Sequence, residues 1–281
     1  MASVKCSFHN HTDYSDGYDT PEDMMKKAVS AGFTHYAFTD HIYCPYDSSW
    51  TLSPETFDAY TDHISRIKDE YGDKMLILTG IEADWYRGTG TAGTGYEELS
   101  EKLDFVVGSV HFLNPAGGIF IIDGSEKEFA VCLRDGFSGN IRNLVTYYYE
   151  SYMEMAEGLK PDLMAHADII RKNNISGFFD ETESWYTDLI QRCARTLSKY
   201  NLITEVNGGG NYRYRNNVIY PSEPFMKFLK DENVRITIGL DAHSTDMLTD
   251  YYDFSAEYLR TNGYSSFCYF EDGTWKDCSL Q

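Results

Sequence analysis

The sequence predicts an α/β fold in which parallel strands close, or nearly close, into a barrel. Three observations carry that expectation. Short apolar runs with strand character alternate with stretches that hold helix start and stop signals. The runs end, one after another, in histidine or acidic residues. Six of the eight histidines fall at those run ends, where parallel sheets and barrels place functional groups.

Val4-Lys5-Cys6-Ser7-Phe8 leads into His9-Asn10-His11. Side chains alternate faces along a strand, so both imidazoles leave in one direction. Asp16-Gly17 adds a turn and a carboxylate close behind them. Alone, an H-x-H pair more often marks a surface strand end, so the repetition of the pattern is what matters. Thr20-Pro21-Glu22-Asp23 reads as an N-cap, a first-turn proline and acidic residues opening a helix over Met24–Ala31, stopped by Gly32. His35–Thr39 is a buried strand running into Asp40-His41. Ser53-Pro54-Glu55 caps a second helix that reaches Tyr71.

Met75–Ile81 is a third strand, ending at Glu82, and Phe105–Val110 a fourth, ending at His111. The glycine-rich stretch over 112–142 reads as an insertion above the site, followed by a helix over Asn143–Gly158. Leu163–Ala165 ends at His166. A long helix over Glu181–Tyr200 precedes Leu202–Val206, which carries Glu205 and ends at Asn207. A helix over Pro221–Asp231 leads to the last strand, Val234–Leu240, ending in Asp241-Ala242-His243. A terminal hairpin with an Asp-Gly turn is expected around 265–280.

With 281 residues, 42% of them hydrophobic, the chain is long enough for one barrel-sized domain spanning 1–281, although two smaller domains would fit as well. A formal charge of -20 repels a phosphate backbone and weighs against a nucleic-acid partner. No targeting segment or membrane-spanning run is visible. Cys6, Cys44, Cys132, Cys193, Cys268 and Cys278 lie far apart with no C-x-x-C pair, which suits reduced thiols in the cytoplasm. The sequence leaves the oligomeric state unknown.

His9, His11, His41, His111, His166 and His243, with Asp16, Glu82 and Asp241, are too many ligands for one ion of four to six coordination. They fit two or three divalent ions, and mixed nitrogen and oxygen donors suit zinc, iron or manganese. Glu82 can bridge ions. Asp40 points to the opposite face from His41 if the strand persists, so it is as readily a support for the ligands as a ligand itself.

These residues resemble the polymerase and histidinol phosphatase (PHP) family of metal-dependent phosphoesterases. The likeness rests on H-x-H-x-x-x-S-D-G at His9–Gly17, T-D-H at Thr39–His41, G-I-E-A at Gly80–Ala83, S-V-H at Ser109–His111, H-A-D at His166–Asp168 and D-A-H at Asp241–His243. It implies a distorted, TIM-like (β/α)7 barrel with three divalent metal ions at the carboxyl ends of the strands, and the length resembles the histidinol-phosphatase branch. The expected reaction is hydrolysis of a small phosphomonoester, L-histidinol phosphate first, by a hydroxide generated on the ions. Another ion, or an acid such as Asp13 or Asp16 if unligated, would assist the leaving alkoxide.

Asp16, His243, Arg171 and Arg213 are the residues expected in catalysis. Arg171 follows the H-A-D motif, and the stretch Glu205-Val-Asn207-Gly-Gly-Gly-Asn-Tyr-Arg213-Tyr-Arg215 resembles the E-I-N-x-x-G-x-R segment of histidinol phosphatases, with its arginine one residue later and three glycines in place of bulkier residues. Arginine there can fork onto phosphate oxygens. Arg171, Glu205, Asn207, Arg213 and Arg215 are therefore the expected substrate-binding set, Glu205 meeting either the substrate's ammonium group or loop amides. Alternatives are another phosphomonoester, a nucleotide, a phosphotyrosyl protein, a non-catalytic metal-binding module, or a related amidohydrolase. The last often bridges its metals with a modified lysine, and no strand here ends in one. Gly88-x-Gly90-x-x-Gly93 neither follows a strand directly nor opens a long helix; a lid beside Glu82 suits it better than a dinucleotide loop.

Overall fold

The computed structural model describes residues 4–115, 118–209 and 218–280. Seven strands form one parallel sheet: β1 (Cys6–Ser7), β2 (His35–Phe38), β3 (Leu76–Asp84), β4 (Phe105–Ser109), β7 (Leu163–Met164), β8 (Thr204–Asn207) and β9 (Ile236–Gly239), in that order. The outer strands approach each other beyond their ends. Asn10 and Ala242 form a parallel bridge, and the His11 amide donates to the Ala242 carbonyl at 2.8 Å. That contact curls the sheet into a nearly closed β/α barrel and brings the chain's first ligands beside its last.

Helices between the strands bury one apolar face each. In α1 (Pro21–Ser30), Thr20 caps the first turn by accepting the Asp23 amide at 3.2 Å, and Met24, Met25 and Ala28 pack inward. In α2 (Phe57–Tyr71), Phe57, Tyr60, Ile64, Ile67 and Tyr71 recur at helical spacing on the buried face, each worth about 1.5–3 kcal/mol as buried side chains. Tyr60 also donates to the Gly80 carbonyl at 2.8 Å, tying α2 to the strand that carries Glu82. A 3-10 turn at Pro54–Thr56 precedes α2, so the helix expected from Ser53 onward starts in the tighter geometry.

The 112–142 stretch holds more structure than its glycines suggest. A small hairpin, β5 (Phe112–Leu113) with β6 (Phe120–Ile121), leads to α3 (Glu126–Val131), where Ser125 and Glu128 form a reciprocal capping box. The chain continues through a π-turn at Cys132–Gly136 into α4 (Ile141–Gly158). Helices α5 (Ser184–Lys199) and α6 (Glu223–Asp231) flank β8. The Gly88–Gly93 loop packs beside Trp85, and among the described residues none of it lines the central cavity.

The antiparallel pair β10 (Ser266–Glu271) and β11 (Thr274–Ser279) lies against the amino ends of the strands. Trp275 donates to the Asp162 carbonyl ahead of β7, and the Tyr269 ring meets His35, the first residue of β2. The opposite rim is thus the open one.

Candidate metal centre

All nine residues expected as ligands meet at the carboxyl rim. They fall into four overlapping groups whose ligand atoms lie within 4.8 Å of one another: His11, Asp16, His41 and His243; His9, His11 and Asp241; His9, Glu82 and His166; and His41, Glu82 and His111. Glu82 stands at the middle. One of its oxygens is 3.0 Å from His41 Nδ1 and 3.3 Å from His9 Nε2, and the other is 3.1 Å from His166 Nε2. Asp16 reaches in from the loop after β1, with Oδ2 3.0 Å from His243 Nε2. Asp241 holds a left-handed backbone, φ +48°, which a non-glycine residue adopts only when its surroundings enforce it.

Three imidazoles are oriented from behind. His9 Nδ1 is 2.9 Å from Glu205 Oε1, His111 Nδ1 is 2.9 Å from Asp84 Oδ1, and His243 Nδ1 is 2.8 Å from the Asp241 carbonyl. Each partner is an acceptor, so with a cation on the ring's other nitrogen each Nδ1 would carry the proton and each Nε2 would present its lone pair to the cluster. Asp40 accepts the Thr12 amide at 2.8 Å and the Ser15 hydroxyl at 2.7 Å, bracing the loop that carries Asp16. Burial pushes its carboxyl up to about 6. It supports the site and joins none of the four groups.

The residues fit divalent cations. Nε2 of His9, both ring nitrogens of His11, Nδ1 of His41 and Nδ1 of His166 are buried and make no hydrogen bond, a costly arrangement that coordination would relieve. The electrostatics agree. Burial alone would lower His9 and His111, yet the carboxylates around them outweigh it, holding His9 well above its ordinary value and His111 at about 10. Burial and neighbouring imidazoles push His11 down to about 3. Glu82 and Asp16 sit below the usual carboxylate range, because facing imidazoles overcome the effect of burial. The acids are thus ionised and His11 is neutral, as ligands must be, while His9 and His111 hold protons that a binding cation would displace.

A cavity of about 600 Å³ opens over the cluster. Its floor is Asp16, His41, Glu82, His111, His166 and Asp241. Trp50 forms one wall, edge-on to His41 at 4.7 Å, and Ile121, Asp123, Glu126, Lys172 and Ile175 form the rest with the chain between them.

Several residues do not stand where the sequence suggested. Arg171, expected on phosphate, is turned away: Nε donates to Glu181 at 2.7 Å, and Nη1 donates to the Ile219 carbonyl and lies 3.6 Å from the buried Asp168 carboxylate. Neighbours on a 3-10 turn point about 120° apart, so Lys172 faces the cavity instead. Glu205, expected at an ammonium group or loop amides, is fully buried beneath His9 and also accepts the His166 amide at 3.1 Å. It fits there because residue 239 is glycine; a Cβ on Gly239 would come within 1.6 Å of Glu205 Oε2. Asn207 donates to Glu205 at 2.7 Å and braces it rather than facing substrate. Asp13 lines a separate small cavity with Glu22 and His63, which removes it as the leaving group's acid. Arg213 and Arg215 lie outside the described residues.

Asp84, Trp50, Asp123 and Lys172 were not foreseen. Asp84 had a signal, since it follows Glu82 at the two-residue spacing of one strand face. The other three come from loops and turns, which carry no such periodicity.

The PHP domain family matches residues 7–209. The chain belongs to the PHP family. Within it, a histidinol-phosphatase of Saccharomyces cerevisiae is 26% identical over 298 aligned positions, spanning 90% of this chain and 87% of that protein. A candidate histidinol phosphatase of Listeria monocytogenes shares the PHP barrel with a TM-score of 0.77 at 21% identity, over 89% of this chain and 99% of that one. The histidinol phosphate phosphatase of Lactococcus lactis, solved with zinc, L-histidinol and phosphate, aligns over 98% of this PHP chain and all of its own, with a TM-score of 0.64 at 17% identity.

Proposed function

We propose that the protein is a metal-dependent phosphoric monoester hydrolase that converts L-histidinol phosphate to L-histidinol and phosphate, a step of histidine biosynthesis in the cytoplasm. The observation that carries this reading is the convergence of nine metal-competent side chains on the floor of one open cavity. The histidinol-phosphatase names of its relatives support the substrate.

Three divalent ions, zinc first and iron or manganese as alternatives, suit the overlapping groups, with Glu82 shared between them. Bound there, the ions supply Lewis-acid charge for the phosphate oxygens and lower the pKa of a coordinated water toward about 7. The chain's own residues set the geometry. Glu205 and Asp84 fix the faces of His9 and His111. Asp16, more open to solvent than the other ligands and ionised, stands with His243 on the side of the cavity where a proton can be taken up. Trp50 and Ile121 exclude water from one flank. The ligand-rich floor binds the phosphate, and the remaining walls meet the alcohol.

Phosphate release from histidinol phosphate, a nucleoside monophosphate and phosphotyrosine, measured after reconstitution with zinc, manganese or iron, tests the proposal. Turnover of histidinol phosphate well above the others supports it. Release of phosphate from none of them, with all three metals, refutes it.

A further inference from the structure

Asp16 is the one ligand of the nine that a loop carries well beyond its strand. Its side chain is 27% exposed, while that of His41, the next most open ligand, is 8%. A coordinating group so placed keeps its geometry only if the loop is held from more than one side. On the inner side Asp40 does this through Thr12 and Ser15. The loop also closes on itself: the amides of Ser15 and Gly17 donate to the Thr12 carbonyl at 3.0 and 2.9 Å, and a Cβ on Gly17 would come within 2.7 Å of the Thr12 backbone. On the outer side the brace is Tyr14. Its ring stands edge-on to Tyr60 with centroids 5.3 Å apart, and its hydroxyl lies 3.0 Å from His63 Nδ1, both partners being on α2. His63 Nε2 is bonded in turn to the Glu22 carboxylate in the first turn of α1. A carboxylate only accepts, so in the neutral ring Nε2 carries the proton and Nδ1 accepts the Tyr14 hydroxyl. The Ala59 carbonyl is a more distant acceptor at 3.4 Å. None of Tyr14, Glu22 and His63 belongs to the four ligand groups.

We propose that His63 is a positioning residue for the metal centre. Its ring, oriented by Glu22, holds the 12–17 loop through the Tyr14 hydroxyl, so that Asp16 stays at the ion position it shares with His11, His41 and His243. The inference rests on the metal-site reading above and concerns no part of the substrate. The series of contacts ties two outer helices to a single ligand. Without it the loop keeps only its inner brace, and the Asp16 carboxylate spends less time where a cation needs it.

Zinc binding by the full chain, measured without substrate by competition with a chromophoric chelator, tests the proposal. Tyr14→Phe keeps the ring on Tyr60 and His63→Phe keeps an aromatic ring on α2, yet each removes the hydrogen bond. Each weakens zinc at one ion position about tenfold and leaves the rest as in the parent, the lower end of what the supports of a ligand contribute. The double variant is no weaker than either single one, because both remove the same contact. His63→Asn, whose Oδ1 stands where Nδ1 stood, stays within about twofold of the parent. Parental zinc affinity in both phenylalanine variants, with or without a lower Tm, would mark a purely structural role and overturn the proposal. So would an equal loss at every ion position, losses that add in the double variant, or an asparagine variant as weak as the phenylalanine one. If His63→Phe does not fold, Tyr14→Phe decides alone. A parent that binds zinc in this pattern yet releases phosphate from no ester would sink the phosphatase reading and leave this one standing, whereas a parent that binds no zinc ends both.

Discussion

Glu205 Oε1 lies 2.9 Å from His9 Nδ1 in a fully buried contact. A carboxylate behind a ligating imidazole fixes its tautomer and strengthens its donor nitrogen. Glu205→Gln keeps an acceptor for the His166 amide but removes the charge. Zinc affinity, measured by competition with a chromophoric chelator, falls about 10–100-fold. Wild-type affinity would show that Glu205 only fills space.

Protons and metal compete for the same imidazoles. His9 and His111 are raised enough to be protonated at pH 7 without metal, so zinc loading at that pH displaces a proton from each. Calorimetry in buffers of different ionisation enthalpy reads this directly. Absence of a buffer-dependent heat would contradict the assignment.

The same shifts set the stability of the metal-free chain. Raised histidines stabilise the fold fully below their unfolded value of 6.5, and His111 loses that contribution as pH rises through about 10. Lowered acids act in the other direction: Glu82 stabilises above 4.5, and its contribution disappears as pH falls through its depressed folded value. Chelator-treated protein therefore has its highest Tm near neutrality and loses stability on both sides. A flat profile between pH 4 and 10 would disagree.

His41 and Glu82 belong to overlapping groups, so one side chain serves more than one ion position. His41→Ala or Glu82→Ala abolishes phosphate release while far-UV circular dichroism stays that of the parent. Parental activity in either variant would contradict the roles given to them.

Arg171 and Lys172 are neighbours with separable effects. Arg171→Met leaves the buried Asp168 carboxylate without its cation and costs about 3 kcal/mol of stability, read by denaturant unfolding. Lys172→Met removes the cation that lines the cavity among the described residues, raising KM for a phosphomonoester more than it lowers Tm. The opposite pattern would restore Arg171 to the phosphate.

Much of the site was legible because its ligands obey one rule. Most stand near the carboxyl end of a strand, with Asp16 in the loop beyond one, and strand ends are marked by apolar runs that stop at a polar residue. The barrel followed from the same punctuation. Supports were harder to read. Glu205 carried the strand signal but not its direction, because only the contact with Gly239 from the next strand shows that the carboxylate turns under His9. Arg171 is expected on phosphate because it follows the H-A-D motif; which of two adjacent residues faces inward depends on the exact turn, and sequence does not specify it. Asp123 comes from a stretch without periodicity, held in place by Asn173 and Lys172 about fifty residues later.

The bridge from Asn10 to Ala242 joins segments that lie far apart along the chain. His9 and His11 are synthesised well before Asp241 and His243. A nascent polypeptide therefore offers ions only fragments of their binding place. A complete binding place for a cation exists only once the circle of strands shuts, and a cation held there would fasten that seam from within.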